Sequence, residues 1–257
     1  MGQKQQGLYL RSMELLREAV PSFEIYPFHL KAVRGLDTLE FHPKVTYLVG
    51  ENGMGKSTLM EAIAVGLGFN PEGGTINFNF STEETHSELH RYLRLVRSPF
   101  KPRDGFFFRA ESYYNLATNI DEMDREIASA RRIIDSYGGR SLHQQSHGES
   151  FFAAFLHRFN GNGLYIMDEP EAALSPFRQM AMLSRIHQLV ERNSQFIIST
   201  HSPILMAYPD AVIYNLTSDG IAKVELEHTE HFLLMKEFVN NRERMLKELF
   251  LEENDDT

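Results

Sequence analysis

The sequence predicts an α/β protein whose core is a mainly parallel β-sheet flanked by helices, and three observations support this fold class. Residues 164–167 and 196–198 are continuously apolar, which is typical of strands buried on both faces of a parallel sheet. A segment with helical periodicity, residues 176–191, lies between these two runs and completes a βαβ unit. A glycine-rich stretch, residues 50–55, lies between a further apolar strand and a helix.

The composition is that of a globular chain. Of its 257 residues, 42% are apolar and 24% charged, and the formal charge is -9, so the chain can bury a sizeable core. It has no cysteine, which excludes disulfides, thiolate metal sites and cysteine nucleophiles and suits a reducing compartment, so we expect the cytoplasm. No stretch approaches the roughly 18 apolar residues of a membrane-spanning helix, so we expect no transmembrane segment. The acidic balance disfavours a whole-surface attraction to nucleic acid.

The N-terminal part predicts short strands followed by a helix. Strand-like runs at residues 8–15 and 36–41 are broken by Pro and Gly, which favours an antiparallel β part. A strand is predicted at residues 45–49. Over residues 56–67, apolar residues recur every four positions, which predicts a helix with one apolar face.

The chain is predicted to be a single domain, residues 1–257, with an insertion. Charges become dense over residues 81–145, and we expect an inserted helical lobe there. The core lobe is then formed by residues of about 1–80 and 146–257. The final 25 residues carry apolar side chains at helical spacing and predict one terminal helix.

A phosphate-binding loop is the most specific motif. Residues 50–57 fit the pattern G-x-x-x-x-G-K-[ST], between a strand and a helix, as the motif requires. The glycines let backbone N–H groups face a phosphate at a helix N-terminus, Lys56 supplies charge to the β and γ phosphates, and Ser57 is expected to ligate Mg²⁺. The predicted nucleotide-binding residues of this loop are Gly50, Glu51, Asn52, Gly53, Met54, Gly55, Lys56, Ser57 and Thr58.

Two carboxylate residues lie at the end of one of the predicted buried strands. Asp168 and Glu169 directly follow the apolar run at residues 164–167. Asp168 is placed to hold the Mg²⁺ shell, and Glu169 is placed to orient and polarise a water in line with the γ-phosphate. The adjacent pair predicts ATP hydrolysis rather than transfer to a substrate hydroxyl.

These motifs resemble those of the ATP-binding cassette (ABC) type of P-loop ATPase, over nearly the whole chain. The sequence S-H-G-E-S at residues 146–150 is similar to the family signature, usually L-S-G-G-Q, with His147 and Glu149 as departures. The resemblance implies that Ser146, Gly148 and Glu149 grip the γ-phosphate held by the other subunit of a homodimer that closes head to tail on ATP. An ordinary helix N-cap at Ser146 is the alternative.

Two further motifs follow the carboxylates in the order that the family has. Residues 171–175, E-A-A-L-S, resemble the loop that touches the partner subunit, although the family commonly ends it in Leu-Asp. Residues 199–203, S-T-H-S-P, resemble the switch-histidine motif. The resemblance implies that His201 hydrogen-bonds the γ-phosphate and helps to hold the attacking water, alongside Lys56 and Glu169.

The glutamine loop of the family is missing. It should follow a strand entering the inserted lobe, and the candidate segment has no Gln. Glu111 as a Mg²⁺ ligand and Arg109 as a phosphate contact are the two alternatives for this position. On the adenine side, Arg34, Tyr26 and Phe28 precede the phosphate loop and are candidates for stacking on the base, although such aromatic residues are more often core.

We therefore predict a Mg²⁺-dependent ATPase that drives a partner protein or a nucleic-acid process, similar to ABC-type ATPases of DNA repair, chromosome maintenance or cellular defence. Lys56 and Ser146 are 90 positions apart, too few for a long coiled-coil arm. One alternative is the nucleotide-binding subunit of a membrane transporter. The other is a non-hydrolysing adaptor, and the carboxylate pair at residues 168–169 argues against the adaptor. His228 and His231 are interpreted as surface histidines rather than metal ligands.

Overall fold

A six-stranded sheet forms the centre of the protein in a computed structural model, which describes residues 8–76, 87–111, 118, 135, 152 and 155–252. The described strands are β1 (Leu10–Leu15), β2 (Thr38–Glu40), β3 (Val45–Val49), β4 (Leu93–Arg97), β5 (Asp104–Arg109), β6 (Gly163–Asp168), β7 (Gln195–Ser199), β8 (Val212–Thr217) and β9 (Gly220–Val224). The central sheet has the order β5-β6-β7-β3-β8-β9. Its neighbours are parallel except for the antiparallel pair β8 and β9. The predicted mainly parallel α/β fold is confirmed.

The predicted helices at residues 56–67 and 176–191 are also confirmed. The described α-helices are α1 (Lys31–Arg34), α2 (Lys56–Leu67), α3 (Pro176–Val190), α4 (Pro203–Met206), α5 (Glu230–Asn240) and α6 (Arg242–Glu252). Helix α2 lies between Gly55 and Gly68, whose φ angles of 99° and 96° are left-handed and suit glycine. Helix α3 begins after Ser175, whose hydroxyl accepts a hydrogen bond from the Arg178 N–H, a typical N-cap.

The central sheet is buried on both faces, which explains its continuous apolar runs. On β6, Tyr165 and Met167 belong to one core together with the apolar side of α3, including Ile186. Leu164 and Ile166 point to the opposite face, where a second core includes the apolar residues of α2. Each residue of the strand is therefore buried, as expected for a parallel sheet covered by helices on two sides.

A second, three-stranded sheet packs on the α2 side. Its order is β2-β1-β4, and both pairs are antiparallel, so the predicted N-terminal antiparallel part is confirmed. Met13 at its centre pairs with Leu39 on β2 and with Leu95 on β4. Strands β4 and β5 lie within residues 81–145, the range predicted for the insertion, yet they belong to the two sheets. The insertion at residues 81–145 stays a prediction, and these two strands within its range belong to the core sheets.

The C-terminal region forms two helices, so the prediction of one terminal helix is wrong. Helix α5 ends at Asn240, and the next residue, Asn241, closes it. The Asn241 N–H donates to the carbonyl oxygen of Glu237 at 2.8 Å, and its side-chain amide donates to the Glu237 carboxylate at 2.9 Å. Asn241 has φ −128° and ψ 33°, outside the helical range, and the helix ends there. Among the described helices, none is long and apolar enough to cross a bilayer.

Candidate functional site

The phosphate loop leaves β3 and wraps around a buried lysine. Gly50 has φ 137°, and a Cβ there would lie 2.3 Å from the Leu216 carbonyl oxygen, so only glycine fits. The loop ends at Gly55, where α2 begins. The Lys56 side chain turns back into the loop, and its Nζ donates to the carbonyl oxygens of Gly50 at 2.8 Å and of Glu51 at 3.0 Å. The ammonium group is thereby held beside the N-terminus of a helix.

The charge of Lys56 lies in a partly desolvated setting. The residue is 4% exposed, and burial lowers the pKa of Lys56, while the nearby carboxylates of Glu169, Asp168 and Glu171 act in the opposite direction. Its described hydrogen-bond partners are two neutral carbonyls. A buried cation without a directly bonded anion is well placed to receive an anionic ligand.

Asp168 ends β6 next to the first turn of α2. Its Oδ1 accepts hydrogen bonds from the hydroxyl groups of Ser57 at 3.2 Å and of Ser199 at 2.5 Å. Burial raises the pKa of Asp168, and these two hydrogen bonds oppose the rise. The structure thus brings together Ser57 and Asp168, which the sequence predicted as metal ligands. Hydroxyl and carboxylate oxygens are the donors that a hard cation such as Mg²⁺ prefers.

Glu169 turns sharply away from the strand. Its φ of 48° is left-handed and uncommon for a residue other than glycine, and such conformations are found at functional sites. Its N–H donates to the carbonyl oxygen and to the hydroxyl of Ser199, both at 3.1 Å. Its Oε1 lies 3.3 Å from His201 Nε2. The two residues predicted to handle the attacking water are therefore neighbours.

The segment that carries His201 is held by Glu171. The His201 N–H donates to Glu171 Oε1 at 2.6 Å. Burial raises the pKa of Glu171, and the hydrogen bond from the His201 backbone opposes the rise. Although residues 171–175 were predicted to touch a partner subunit, the first of them thus also fixes the loop after β7 within its own chain.

His231, interpreted from the sequence as a surface histidine, in fact contacts the site. Its Nε2 lies 2.8 Å from His201 Nδ1. It comes from the first turn of α5, 30 positions further along the chain, and it belongs to none of the motifs. No local pattern indicated this contact, because it depends on where the C-terminal helix packs.

A cavity of about 350 Å³ opens between the phosphate loop and the end of β6. It is lined by residues of the loop, by Glu169 and by Glu111, the predicted metal ligand, together with two residues that precede the loop. Its wall is formed by Tyr26, Leu30, Asn52, Gly53, Gly55, Lys56, Ser57, Thr58, Glu111 and Glu169. Most of the residues singled out in the phosphate loop therefore surround one space.

The end of β5 carries an ion pair where the family has its glutamine. Arg109 Nη1 donates to Glu61 Oε2 on α2 at 2.7 Å, and Glu61 Oε1 also accepts from the Ser87 N–H at 2.9 Å. Arg109 Nη2 lies 3.4 Å from Glu111. Burial tends to lower the pKa of Arg109, but Glu61 and Asp168 outweigh it and raise that pKa. Of the two alternatives for this position, Glu111 faces the cavity and Arg109 faces Glu61.

On the side predicted for adenine, the three candidates differ. Phe28 is 3% exposed and packs edge-on against Tyr92 with ring centroids 4.9 Å apart, so it is a core residue and cannot stack on a base. Arg34 donates to the exposed Glu24 at 2.8 Å. Tyr26 is 61% exposed and lines the cavity.

The predicted signature, with Ser146, Gly148 and Glu149, lies outside the described residues. The described part of the site is formed by the phosphate loop, the two strand ends and the residues that precede the loop.

A glycine loop around a buried lysine, followed by a carboxylate pair on a neighbouring strand, defines the class of P-loop nucleoside triphosphatases. A family model described as "AAA domain, putative AbiEii toxin, Type IV TA system" matches residues 81–207. A putative ABC transporter ATP-binding protein of Methanothermobacter marburgensis is 30% identical over 222 residues, which cover 79% of this chain and 77% of the relative. The chain belongs to the family of ABC-type ATPases, whose members bind and hydrolyse ATP.

Two further proteins are similar to this chain. An uncharacterised ABC transporter ATP-binding protein of Haemophilus influenzae is 29% identical over 178 residues, 64% of this chain and 66% of the relative. Among solved structures, a nucleotide-free ATP-binding cassette from an ABC transporter aligns with a TM-score of 0.49 at 17% identity, over 84% of this chain and 90% of that one.

Proposed function

We propose that the chain binds Mg²⁺ and ATP at the cavity between the phosphate loop and β6, and that Glu169 and His201 direct hydrolysis of the γ-phosphate. The observation that carries this proposal is the convergence of three separate motifs. Lys56 and Glu169 line the same cavity, and Glu169 is 3.3 Å from His201. Residues from three different strand ends thus meet where hydrolysis needs a phosphate binder, a base and a hydrogen-bond donor.

Phosphate binding is assigned to the loop and to Lys56. The N-terminus of α2 supplies backbone N–H groups and the positive end of the helix dipole, which favour an anion. The described hydrogen-bond partners of Lys56 Nζ are two neutral backbone carbonyl groups. Charge-assisted bonds to phosphate oxygens are roughly twice as strong as neutral ones, so the ammonium group gains by turning to the nucleotide.

The oxygen donors around Asp168 fit a magnesium ion. Asp168 is buried and shares its Oδ1 with two hydroxyl groups, so a compact group of oxygens already exists there. Ser57 and Asp168 would hold the ion, and Glu111, which lines the cavity, would supply a further carboxylate. When bound, Mg²⁺ neutralises charge on the phosphate oxygens. Ser199 keeps the Asp168 carboxylate oriented by its hydrogen bond.

The catalytic roles are assigned to Glu169 and His201. The left-handed turn at Glu169 directs its carboxylate into the cavity, where it accepts a hydrogen bond from the attacking water and polarises it. His201 Nε2 lies beside this carboxylate. It donates a hydrogen bond toward the γ-phosphate and restricts the position of the water.

We further propose that two copies close head to tail on ATP. In this arrangement Ser146, Gly148 and Glu149 of one copy complete the phosphate site of the other, as in the ABC-type ATPases that the sequence resembles. Residues 171–175, whose first residue Glu171 also holds the loop after β7, contact the partner. The test is light scattering at saturating Mg²⁺-ATP: Ser146→Arg keeps nucleotide binding but stays monomeric, whereas Ser184→Arg, a control at an exposed position of α3, still dimerises. Dimers of Ser146→Arg would contradict this role.

We propose that ATP hydrolysis drives a process on nucleic acid or controls a partner protein, as in DNA repair or cellular defence. The family description names an AAA domain and a type IV toxin–antitoxin system, and the segment after β5 lacks the usual glutamine. The second candidate is the nucleotide-binding subunit of a transporter, which the names of two relatives favour. Under either function the ATP site works in the cytoplasm. Co-purification with an integral membrane protein would support the transporter function. ATP turnover that rises with added DNA would support the nucleic-acid function.

A further inference from the structure

The contact between His201 and His231 is the feature of the site that the motifs leave unexplained. The two rings are 4.8 Å apart between centroids and are inclined at 62°, and His201 Nδ1 and His231 Nε2 are separated by 2.8 Å. Because the nitrogens of two neutral imidazoles can be this close only when one donates and the other accepts, a single proton lies between the rings. If His231 carries this proton, His201 Nε2 is protonated and can donate. If His201 carries it on Nδ1, His201 Nε2 can only accept.

Both rings are expected to be neutral near pH 7. Burial lowers the pKa of His201, Lys56 acts in the same direction and Glu169 opposes it. Burial also lowers the pKa of His231, with Lys56 acting in the same direction and Glu230 and Glu51 opposing. His231 lies in the first turn of an 11-residue helix, and the positive end of a helix dipole further disfavours an imidazolium.

The surroundings favour His231 as the donor. If His201 carried its proton on Nδ1, its Nε2 lone pair would face Glu169 Oε1 at 3.3 Å, and two hydrogen-bond acceptors would repel each other. If His231 donates from Nε2 instead, the proton of His201 lies on Nε2 and faces the carboxylate, which is favourable. This second arrangement also leaves His231 Nδ1 without a proton. Within the described part of the chain, that buried atom has no hydrogen-bond partner, and a buried N–H without an acceptor is rare in proteins.

The same arrangement leaves His201 Nε2 free to serve the ligand. Its contact with Glu169 Oε1 is long at 3.3 Å and does not satisfy this buried nitrogen fully, so a phosphate oxygen can compete for its proton. A proton on Nε2 is therefore available for a phosphate oxygen. A lone pair on Nε2 would repel one.

We propose that His231 is a positioning residue: it donates its Nε2–H to His201 Nδ1 and holds His201 as the tautomer whose Nε2–H points to the γ-phosphate. This inference rests on the proposed role of His201 in hydrolysis. It also makes helix α5 part of the catalytic apparatus, although that helix lies outside every motif of the family.

The tautomer is tested on the free protein by ¹⁵N NMR of histidine-labelled chain, with His201→Gln used to assign the resonances. Two variants form a matched pair. His231→Gln places an amide nitrogen where His Nε2 was and can still donate, whereas His231→Asn is one methylene shorter and cannot reach. We expect the wild-type protein and His231→Gln to show His201 protonated at Nε2 only, and His231→Asn to show both tautomers. A wild-type proton on Nδ1, or an unchanged tautomer in His231→Asn, overturns the proposal.

Kinetics supply the second readout. His231→Asn should lower kcat by about 10-fold to 100-fold, the usual effect of removing an outer partner of a functional histidine, with the Kd for Mg²⁺-ATP unchanged. His231→Gln should recover most of the activity. His228→Asn, at an exposed position three residues earlier, should behave as wild type. If the wild-type chain hydrolyses ATP and His231→Asn is equally fast, this inference fails alone. If the wild-type chain does not hydrolyse ATP, the proposed function fails, and NMR still tests the tautomer.

Discussion

The centre and the edge of the six-stranded sheet end in different chemistry. At the ends of the central strands β6 and β7, Glu169 lines a cavity and lies 3.3 Å from His201 Nε2, a buried atom without a hydrogen-bond partner among the described residues. At the end of the edge strand β5, Arg109 Nη1 is paired with Glu61 at 2.7 Å, and only its Nε is left without a partner among the described residues. A carboxylate and an imidazole beside a cavity suit a ligand, whereas a mutually paired cation and carboxylate stabilise the fold. The proposed catalytic centre is thus distinct from a structural edge.

This comparison predicts opposite outcomes for substitutions in the two regions. At the centre, substitutions should remove ATP binding or turnover with little loss of stability, because partly unsatisfied polar groups contribute little to folding. At the edge, substitutions should lower the free energy of unfolding first and affect activity only secondarily.

The largest effect is expected for Lys56→Ala. Removal of the buried ammonium group deletes charge-assisted bonds to the β and γ phosphates, worth about 1.5–3 kcal/mol each, so the Kd for Mg²⁺-ATP should rise roughly 1,000-fold, about 4 kcal/mol. Calorimetric titration measures it. Lys44→Ala is the matched control, since Lys44 is an exposed lysine paired with Asp210 at 3.3 Å. An affinity that Lys56→Ala leaves unchanged would refute the phosphate role of the loop.

The next effect is expected for Arg109→Ala. The carboxylate of Glu61, whose side chain is 10% exposed, would lose its cation, and loss of one partner of a buried pair costs about 3 kcal/mol. Urea denaturation measures this loss. Arg91→Ala, which removes the exposed pair with Glu88, should cost less than about 1 kcal/mol. Equal losses in the two variants, or full stability with no ATP turnover in Arg109→Ala, would show that Arg109 belongs to the catalytic centre instead.

The smallest effect is expected for Tyr26→Ala. Tyr26 is exposed and lines the cavity, and loss of one stacking contact is worth about 1 kcal/mol, or roughly fivefold in affinity. Tyr26→Phe keeps the ring and should bind Mg²⁺-ATP as the wild type does. If the two variants bind equally well, the base lies elsewhere.

The sequence predicted the parts of the protein that are encoded locally. The phosphate loop and α2, as well as the apolar strands β6 and β7, are each continuous segments whose pattern follows from burial or from glycine geometry. These segments placed Lys56, Asp168 and Glu169 near one another, because the carboxyl ends of parallel strands share an edge of the sheet.

The parts that sequence reasoning missed depend on tertiary packing. Arg109 meets Glu61 across 48 positions, and His231 meets His201 across 30. Neither pair has a characteristic spacing, so no periodicity could reveal it. The break at Asn241 was missed for a different reason: apolar residues at helical spacing continue on both sides of it, so the non-helical backbone of this one residue separates two helices without interrupting the pattern.

The most direct test of the account is phosphate release by the purified chain with saturating Mg²⁺-ATP, measured in parallel for the wild type and for Glu169→Gln. The account predicts many turnovers by the wild type and a rate about 10²-fold to 10⁴-fold lower for the variant, with nucleotide affinity retained. Release by Glu169→Gln at the wild-type rate would contradict the assignment of the base. A wild-type chain that binds ATP and releases no phosphate would be an adaptor and would contradict the account as a whole.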